Sequence, residues 1–362
     1  MPLGTDLYSG ASGISVFLAA YARQSGEQEA ADLALAGIAA LRRDLRGPTS
    51  ARVARALGVG GASGLGSVVY AMSLIADFIG DGGLMGDAEA AVGLFSDDLI
   101  AADKALDIID GSAGAIVGLL RFHRATRSGQ ALERAIKCGD HLLNQKRIGD
   151  AGRRNWARQG SSSISLNGMS HGAAGYAYAL SALAAASGGE RFAAAARECI
   201  AFENATYSAA QGNWPDMRPA DGKTELRWTC QWCHGAPGIG LARIATLRQG
   251  VLASSELLAD VRNALIGVEK NWPCAEDTLC CGTLGVLEFL REAGAVLNMK
   301  ELTELAMRRL PPVLRAASAN GDYRFGCGGR RFNLGLFRGI AGLGYGMLRA
   351  ADCTLPNILV WE

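Results

Sequence analysis

The chain has 362 residues, 49% apolar and 20% charged, the composition of an ordinary globular protein. Its 36 basic and 35 acidic side chains leave a net charge of +1, so no global field favours nucleic acid or an anionic membrane. No run of about 18 apolar residues reads as a membrane span, and the start, MPLGTDLYSG, lacks the basic and apolar regions of a secretory signal.

The predicted elements follow a repeat. Gly-x-x-Gly begins at Gly10, Gly61, Gly111, Gly172, Gly235, Gly282 and Gly339, a near-regular interval that marks a repeated structural unit. After the first copy, Ile14, Phe17, Leu18 and Tyr21 fall at i, i+3, i+4 and i+7, the spacing of one buried helix face. Leu65, Val68, Val69 and Met72 repeat the pattern, then Tyr176, Ala179, Leu180 and Leu183, then Val286, Phe289, Leu290 and Ala293. In each, the first apolar residue directly follows the second glycine. More polar amphipathic helices are predicted between these, over 27–45, 87–104, 130–144, 190–204, 255–268 and 299–317. A last apolar helix runs from Ile340 to Leu348, and clear strand signals are absent.

Units of about 50–60 residues are too small to bury their own cores and must stack on neighbours. The expected fold is all-α: an α/α toroid, or double barrel, of about seven inner and seven outer helices in one domain, 1–362. An open solenoid is the rival, but it needs polar caps, and the last helix is apolar. The abrupt start suggests a cut from a longer polypeptide.

If all inner helices start on one face, the residues before the glycines ring one mouth. They are Ser9, Gly60, Asp110, His171, His234 with Cys233, Cys281 with Cys280, and Arg338. Three long irregular segments, about 148–170, 205–232 and 318–338, enter the same face. They carry Arg153, Arg154, Arg158, Arg218, Arg227, Arg324, Arg330 and Arg331, with Trp156 and Trp214. The plain reading is a solvated basic rim; the sharper one is a peptide-binding surface.

Nine cysteines, an odd number without a secretory signal, point to a reducing cytoplasm and to metal-bound or reactive thiols. Cys233 in TCQWCHG and the Cys280-Cys281 pair in LCCG stand at inner-helix starts. Three soft thiolates suit Zn²⁺ and leave a fourth position open, as in a catalytic site. Cys230 could instead close a four-cysteine structural site, or the thiols could be plain packing. Cys138, Cys199 and Cys353 read as packing. His171 in MSHGAAG is either a satisfied structural histidine or a proton-transfer group. His234 is equally well placed, as a second acid/base group or a ligand. Asp107 and Asp110 in DIIDGSAG are candidate carboxylates, with helix capping the ordinary role for Asp110. Asp97-Asp98 reads as an unpaired, solvated doublet on an outer helix.

In order, DIIDGSAG, SHGAAGYAYAL, NWPD, WCHGAPGIGLAR, CCGTLG and GIAGLGYGMLR resemble the lanthionine synthetase C-like cyclases, and more closely the C-terminal cyclase domain of bifunctional class II lanthipeptide synthetases. The resemblance spans essentially the whole chain. It implies an α/α toroid with one catalytic zinc that adds cysteine thiols of a dehydrated precursor peptide to dehydroalanine or dehydrobutyrine. It places the zinc ligands on Cys233, Cys280 and Cys281, the catalytic histidine on His171 and the catalytic aspartate on Asp107. His234 shares the proton transfer in this reading. It also implies a cytoplasmic enzyme whose partner is an N-terminal dehydratase domain of the same polypeptide. The common family pattern has histidine where this chain has Cys281; the three-thiolate set is similar to the prochlorosin-type synthetases. An arginine before the WC motif has no secure match, with Arg227 one guess. The alternatives are a family member that binds or adds glutathione or peptide thiols without forming rings, and the glycosidases or terpenoid cyclases of other α/α barrels. Those last need paired carboxylates or Asp-rich motifs where this chain carries cysteine.

Overall fold

Glycine makes each turn because the incoming chain crosses over it. A Cβ on Gly282 would lie 2.5 Å from the Glu276 carbonyl oxygen, and one on Gly111 would lie 2.2 Å from the Leu106 nitrogen. A computed structural model of the chain describes residues 3–148, 154–156, 164–218, 226–326 and 333–362. Its first helices are α1 (Ala11–Ser25), α2 (Gln28–Arg46), α3 (Ser50–Leu57), α4 (Leu65–Ile79), α5 (Gly82–Gly93), α6 (Asp97–Ala101), α7 (Ser112–Thr126) and α8 (Gly129–Gln145). A two-residue antiparallel pair follows, β1 (Arg147–Ile148) and β2 (Arg154–Asn155), with Arg147 opposite Asn155. Then come α9 (Ala173–Ser187), α10 (Glu190–Asn204), α11 (Ala236–Gln249), α12 (Ser254–Lys270), α13 (Thr283–Leu297), α14 (Lys300–Asn320) and α15 (Ile340–Ala351).

Helices α1, α4, α7, α9, α11, α13 and α15 each start at a glycine N-cap that makes no side-chain capping bond. They are the inner set. In α4, 13 of 15 residues are buried, whereas α2 buries 6 of 19, at Ala30, Ala31, Ala34, Ile38, Leu41 and Leu45. That stripe is the narrow apolar face of a half-exposed helix.

The chain divides into two compact units, Met1–Asn144 with Phe332–Glu362, and Gln145–Arg331. In the first, α1 packs on α2, α4 and α15, and α4 on α5 and α7. Its turns are joined by main-chain hydrogen bonds: Phe337 N–H to Tyr8 O, Leu7 N–H to Ala62 O and Gly61 N–H to Ile108 O. In the second, α11 packs between α9 and α13, with α10, α12 and α14 as partners of α9, α11 and α13. There Ser170 N–H donates to Cys233 O and Trp232 N–H to Cys280 O. Among the described residues no helix is long and apolar enough to cross a membrane.

Several expectations are corrected. In the second repeat the N-cap is Gly64, not Gly61, so Leu65 opens the helix instead of sitting one turn inside it. The helix predicted over 87–104 is two pieces: α5 ends at Gly93, and Ser96 Oγ caps α6 by accepting the Leu99 N–H at 3.2 Å. Helix α3 was not foreseen, and α15 is followed by a 3₁₀ turn, Ile358–Val360. Asp97 is solvated but not unpaired, since Arg134 and Lys137 approach it at 3.0 and 2.7 Å. Trp156 and Trp214 are fully buried, so neither is a surface rim residue. Arg153, Arg158, Arg330, Arg331 and Cys327 lie outside the described residues.

Candidate metal centre

The three turns of the second unit bring their reactive residues together. Cys233 belongs to the turn before α11; Cys280 and Cys281 belong to the turn before α13. Their sulfurs all lie within 4.8 Å of one another, with Cys233 to Cys281 at 3.8 Å and Cys281 to Cys280 at 3.4 Å. A tetrahedral zinc with ~2.3 Å bonds sets its sulfur ligands about 3.8 Å apart. The donor set and its spacing therefore fit a zinc ion.

The backbone holds this spacing. Cys280 O accepts both the Trp232 N–H (3.0 Å) and the Cys233 N–H (3.4 Å), pinning one cysteine turn to the other. Trp232 itself is buried. Thr278 Oγ1 accepts the Cys281 N–H at 3.2 Å. Within the cluster the ionised form is favoured most at Cys233. Hydrogen bonds from Cys280 and Cys281 put its pKa well below the usual thiol range; burial opposes this and the positive charge of Arg218 assists. The Cys280 thiol is pushed up in return by Cys233 and Cys281. Cys230 stands apart: its sulfur meets Gly267 O at 3.6 Å, and burial pushes its pKa to about 12. Cys138 and Cys199 are buried packing residues as expected, but Cys353 is exposed.

The histidines belong to the same two joined turns: His234 follows Cys233, and His171 follows Ser170, whose N–H donates to Cys233 O. The imidazoles of His171 and His234 lie 6.0 Å apart, centroid to centroid. His234 is buried, and its Nδ1 meets Asn167 O at 3.3 Å. A carbonyl can only accept, so that nitrogen carries the proton and Nε2 presents a lone pair. Burial, then Arg218, pushes the His234 pKa down to about 4. His171 is half-buried, the more reachable of the two.

A residue underrated in the sequence is Arg218. Its Nε and Nη2 donate to Asp216 at 2.9 and 2.6 Å, and its charge acts on Cys233, Cys281 and His234. Burial opposes ionisation of Asp216, but the hydrogen bonds from Arg218 hold its carboxyl below the usual range. Arg227, the guess for the family arginine, is 47% exposed and 3.9 Å from Asp216. Asp216 closes the NWPD motif and Arg218 follows it, so the signal was present in the chain. It lacked only the fold that carries the loop to the cysteines.

Beneath the site lies a buried ion cluster. Arg243 of α11 donates from Nε to Asp260 (2.7 Å) and from Nη2 to Glu203 (2.8 Å), and Glu203 Oε1 accepts the Gly168 N–H at 2.8 Å. Removing one member of such a cluster costs about 3–5 kcal/mol, because a buried charge is left unpaired. It ties the turn carrying His171 to the helix that follows His234.

Asp107 belongs to the first unit. It is buried, and its Oδ1 accepts the Ile109 N–H (3.0 Å) and the Asp110 N–H (2.8 Å). Asp110 Oδ1 accepts from Ser63 Oγ at 2.6 Å. Asp110 thus joins adjacent turns and does not cap its own helix, whose N-cap is Gly111.

Comparison with known proteins follows the same lines. The family described as "Lanthionine synthetase C-like protein" matches residues 1–360. A solved structure named "Nisin cyclase" is similar with a TM-score of 0.75 at 16% identity, over 100% of this chain and 93% of that one. Another, "Crystal structure of sugar epimerase from ruminal bacterium", gives 0.54 at 10% identity, over 88% and 99%. At these identities the two structures show the fold, the α/α architecture expected from the repeat. No sequence match is found among curated proteins.

Proposed function

The chain belongs to the lanthionine synthetase C-like family of thioether-forming cyclases, and from that membership we propose that it closes lanthionine or methyllanthionine rings in a dehydrated, cysteine-containing precursor peptide, with zinc held by Cys233, Cys280 and Cys281. The observation that carries this reading is the three-sulfur cluster with its zinc-like spacing. A zinc ion there supplies Lewis acidity that lowers the pKa of a substrate thiol and keeps it anionic at neutral pH.

In this reading the substrate sulfur attacks the β-carbon of the dehydro residue, forming the S–C bond while the alkene electron pair moves onto the α-carbon and its carbonyl. A proton then reaches the α-carbon. His171 is assigned this transfer, because it is half-buried and reachable while His234 is enclosed with Nδ1 held on Asn167 O. His234 orients its neighbour and offers Nε2 as an acceptor. Asp107 is the carboxylate that the family resemblance adds. Arg218 places a positive charge near the thiols, where negative charge concentrates. The net change is isomerisation, with no gain or loss of atoms. A dehydratase must act first on serine or threonine; the proposed partner is an N-terminal dehydratase domain of the same polypeptide.

The test is intact-mass analysis of a dehydrated peptide before and after incubation, with thiol alkylation, alongside zinc determination. Loss of alkylatable thiols at constant mass, with one zinc per chain, is expected. Persistent free thiols in zinc-loaded protein sink the reading.

A further inference from the structure

The seven turns compare one loop with itself. In five, the N–H just after the N-cap glycine donates to the main-chain carbonyl six residues before that glycine. The pairs are Ala11 to Gly4, Leu65 to Gly58, Ala173 to Leu166, Thr283 to Glu276 and Ile340 to Asn333, all at 2.8–2.9 Å. In the other two a side chain takes that N–H. Ser112 N–H donates to Asp103 Oδ2 at 2.7 Å, and Ala236 N–H donates to Asn213 Oδ1 at 3.0 Å.

These two turns carry Asp107 and the Cys233-His234 pair. Positive φ also occurs at Gly58 and Gly168 in turns closed by the main chain, but only in these two does it fall on a non-glycine residue or on the N-cap glycine itself. Leu106 sits at φ +68°, a left-handed conformation that a leucine rarely adopts, and Gly235 sits at φ +101°. Each acceptor is itself well anchored. Asp103 also takes the N–H groups of Ala105 (2.9 Å) and Leu106 (3.2 Å) and the Ser112 hydroxyl (2.6 Å). Asn213 Oδ1 also accepts the Trp214 N–H (2.9 Å), and its Nδ2 donates to Thr229 O (2.9 Å). Asn213 is fully buried.

We propose that Asp103 and Asn213 are positioning residues: each supplies from a side chain the acceptor that the main chain supplies elsewhere, and so re-aims the reactive residues of its own turn. Asp103 acts through Asp107, and Asn213 through Cys233 and His234. The inference rests on the function proposed above. With the main chain no longer closing the turn by itself, a residue next to the reactive side chain is released to positive φ. In one turn it is Leu106, just ahead of Asp107; in the other it is Gly235, just after His234. The neighbouring side chain then points where the standard turn would not send it.

The experiment pairs structure with kinetics. In a crystal structure of Asp103→Ala, Leu106 is expected to return to negative φ, with the Ser112 N–H turned to the Ala105 carbonyl as in the other five turns. Zinc content is expected to stay unchanged, while kcat falls about 10²-fold, the usual cost of a misplacement of roughly 1 Å, at constant KM. The same change in an Asp107→Asn background is expected to cost nothing further. Asp103→Asn keeps an oxygen for Ser112 but turns its amide N–H groups on the N–H of Ala105 and Leu106, so it is expected to recover only part of the rate. Asp103→Ser, whose hydroxyl is too short to close the turn, replaces the alanine variant if that one does not fold. In the second turn, Asn213→Ala is expected to weaken zinc binding about 10–100-fold in a chelator competition.

The proposal is overturned if Leu106 keeps its positive φ in the folded Asp103 variant, if its rate loss adds in full to that of Asp107→Asn, or if Asn213→Ala leaves zinc affinity unchanged. A wild-type protein that forms no rings, with the turn relaxing as described in Asp103→Ala, defeats the assigned reaction and leaves the positioning intact.

Discussion

In the turn before α13, Thr278 Oγ1 accepts the N–H of Cys281, three residues on; in the turn before α7, Asp107 Oδ1 accepts the N–H of Asp110 from the same place in the repeat. The first turn, before α1, does it again, with Asp6 Oδ1 taking the Ser9 N–H at 2.7 Å. All three side chains stand four residues before the N-cap glycine. In the α13 turn a neutral hydroxyl closes the loop, and Cys280 and Cys281 just after it present thiols. In the α7 turn the closing group is itself the candidate acid/base carboxylate, with Ile109 where Cys280 stands in the other. These three turns take a polar side-chain atom at that position whatever chemistry follows, whereas the turns before α4, α9 and α15 carry glycine there. A carboxylate there is a turn closer first. What sets Asp107 apart from Asp6 is burial, since Asp107 is 2% exposed and Asp6 is partly open to solvent.

The largest effect belongs to the thiol side. Cys280→Ala with Cys281→Ala should abolish zinc binding and cyclisation while helix content by circular dichroism stays intact, because Thr278 still closes the turn. Zinc retained at full stoichiometry in that variant breaks the assignment of the cluster. On the carboxylate side, Asp107→Asn keeps an oxygen for the Asp110 N–H, so the turn survives. Ring formation is expected to slow about 10²–10⁴-fold with zinc still bound, whereas Asp6→Asn should leave the rate alone. Equal, near-normal rates in both would make Asp107 another Asp6. The smallest effect sharpens the role of the closing group. Thr278→Val removes the hydroxyl that fixes Cys281, and zinc affinity in a chelator competition should fall about 10–100-fold; an unchanged affinity means the Cys280 carbonyl bonds alone hold the sulfurs in place.

The inner helices were legible because their signal is local: a glycine turn followed by an apolar stripe at i, i+3, i+4 and i+7. Where the same short motif fits two registers, the stripe alone did not choose. Gly61-x-x-Gly64 matches by spelling, but the N-cap is Gly64, and only the bonds that Gly58 and Gly60 make across that turn reveal it. The break between α5 and α6 was missed although Gly93 and then Ser96 with Asp97 and Asp98 spell a helix stop and a new N-cap, and that miss hid Asp103 inside a supposed helix. The three cysteines were legible by type and place, at helix starts in consecutive repeats. Asn213, Asp216 and Arg218 act on groups in later turns of the chain, and no local spacing encodes such a pairing. NWPD was visible as a motif, but its task was not.

The bond between Phe337 N–H and Tyr8 O, with their rings stacked at 4.8 Å, joins residues from opposite ends of the chain. Its consequence is temporal. Gln145–Arg331 is a continuous stretch, so the unit with the three cysteines can make all its own contacts as soon as it has left the ribosome. The other unit is discontinuous: α1 waits for α15, and Tyr8 for a partner near the far end of the chain, a closure that is slow by its sequence separation. Synthesis therefore has an order in which the sulfur-bearing unit is complete first, and in that interval the part of α1 that packs on α15 stands exposed. A pulse-labelling experiment should find protection in α11 and α13 before protection in α1.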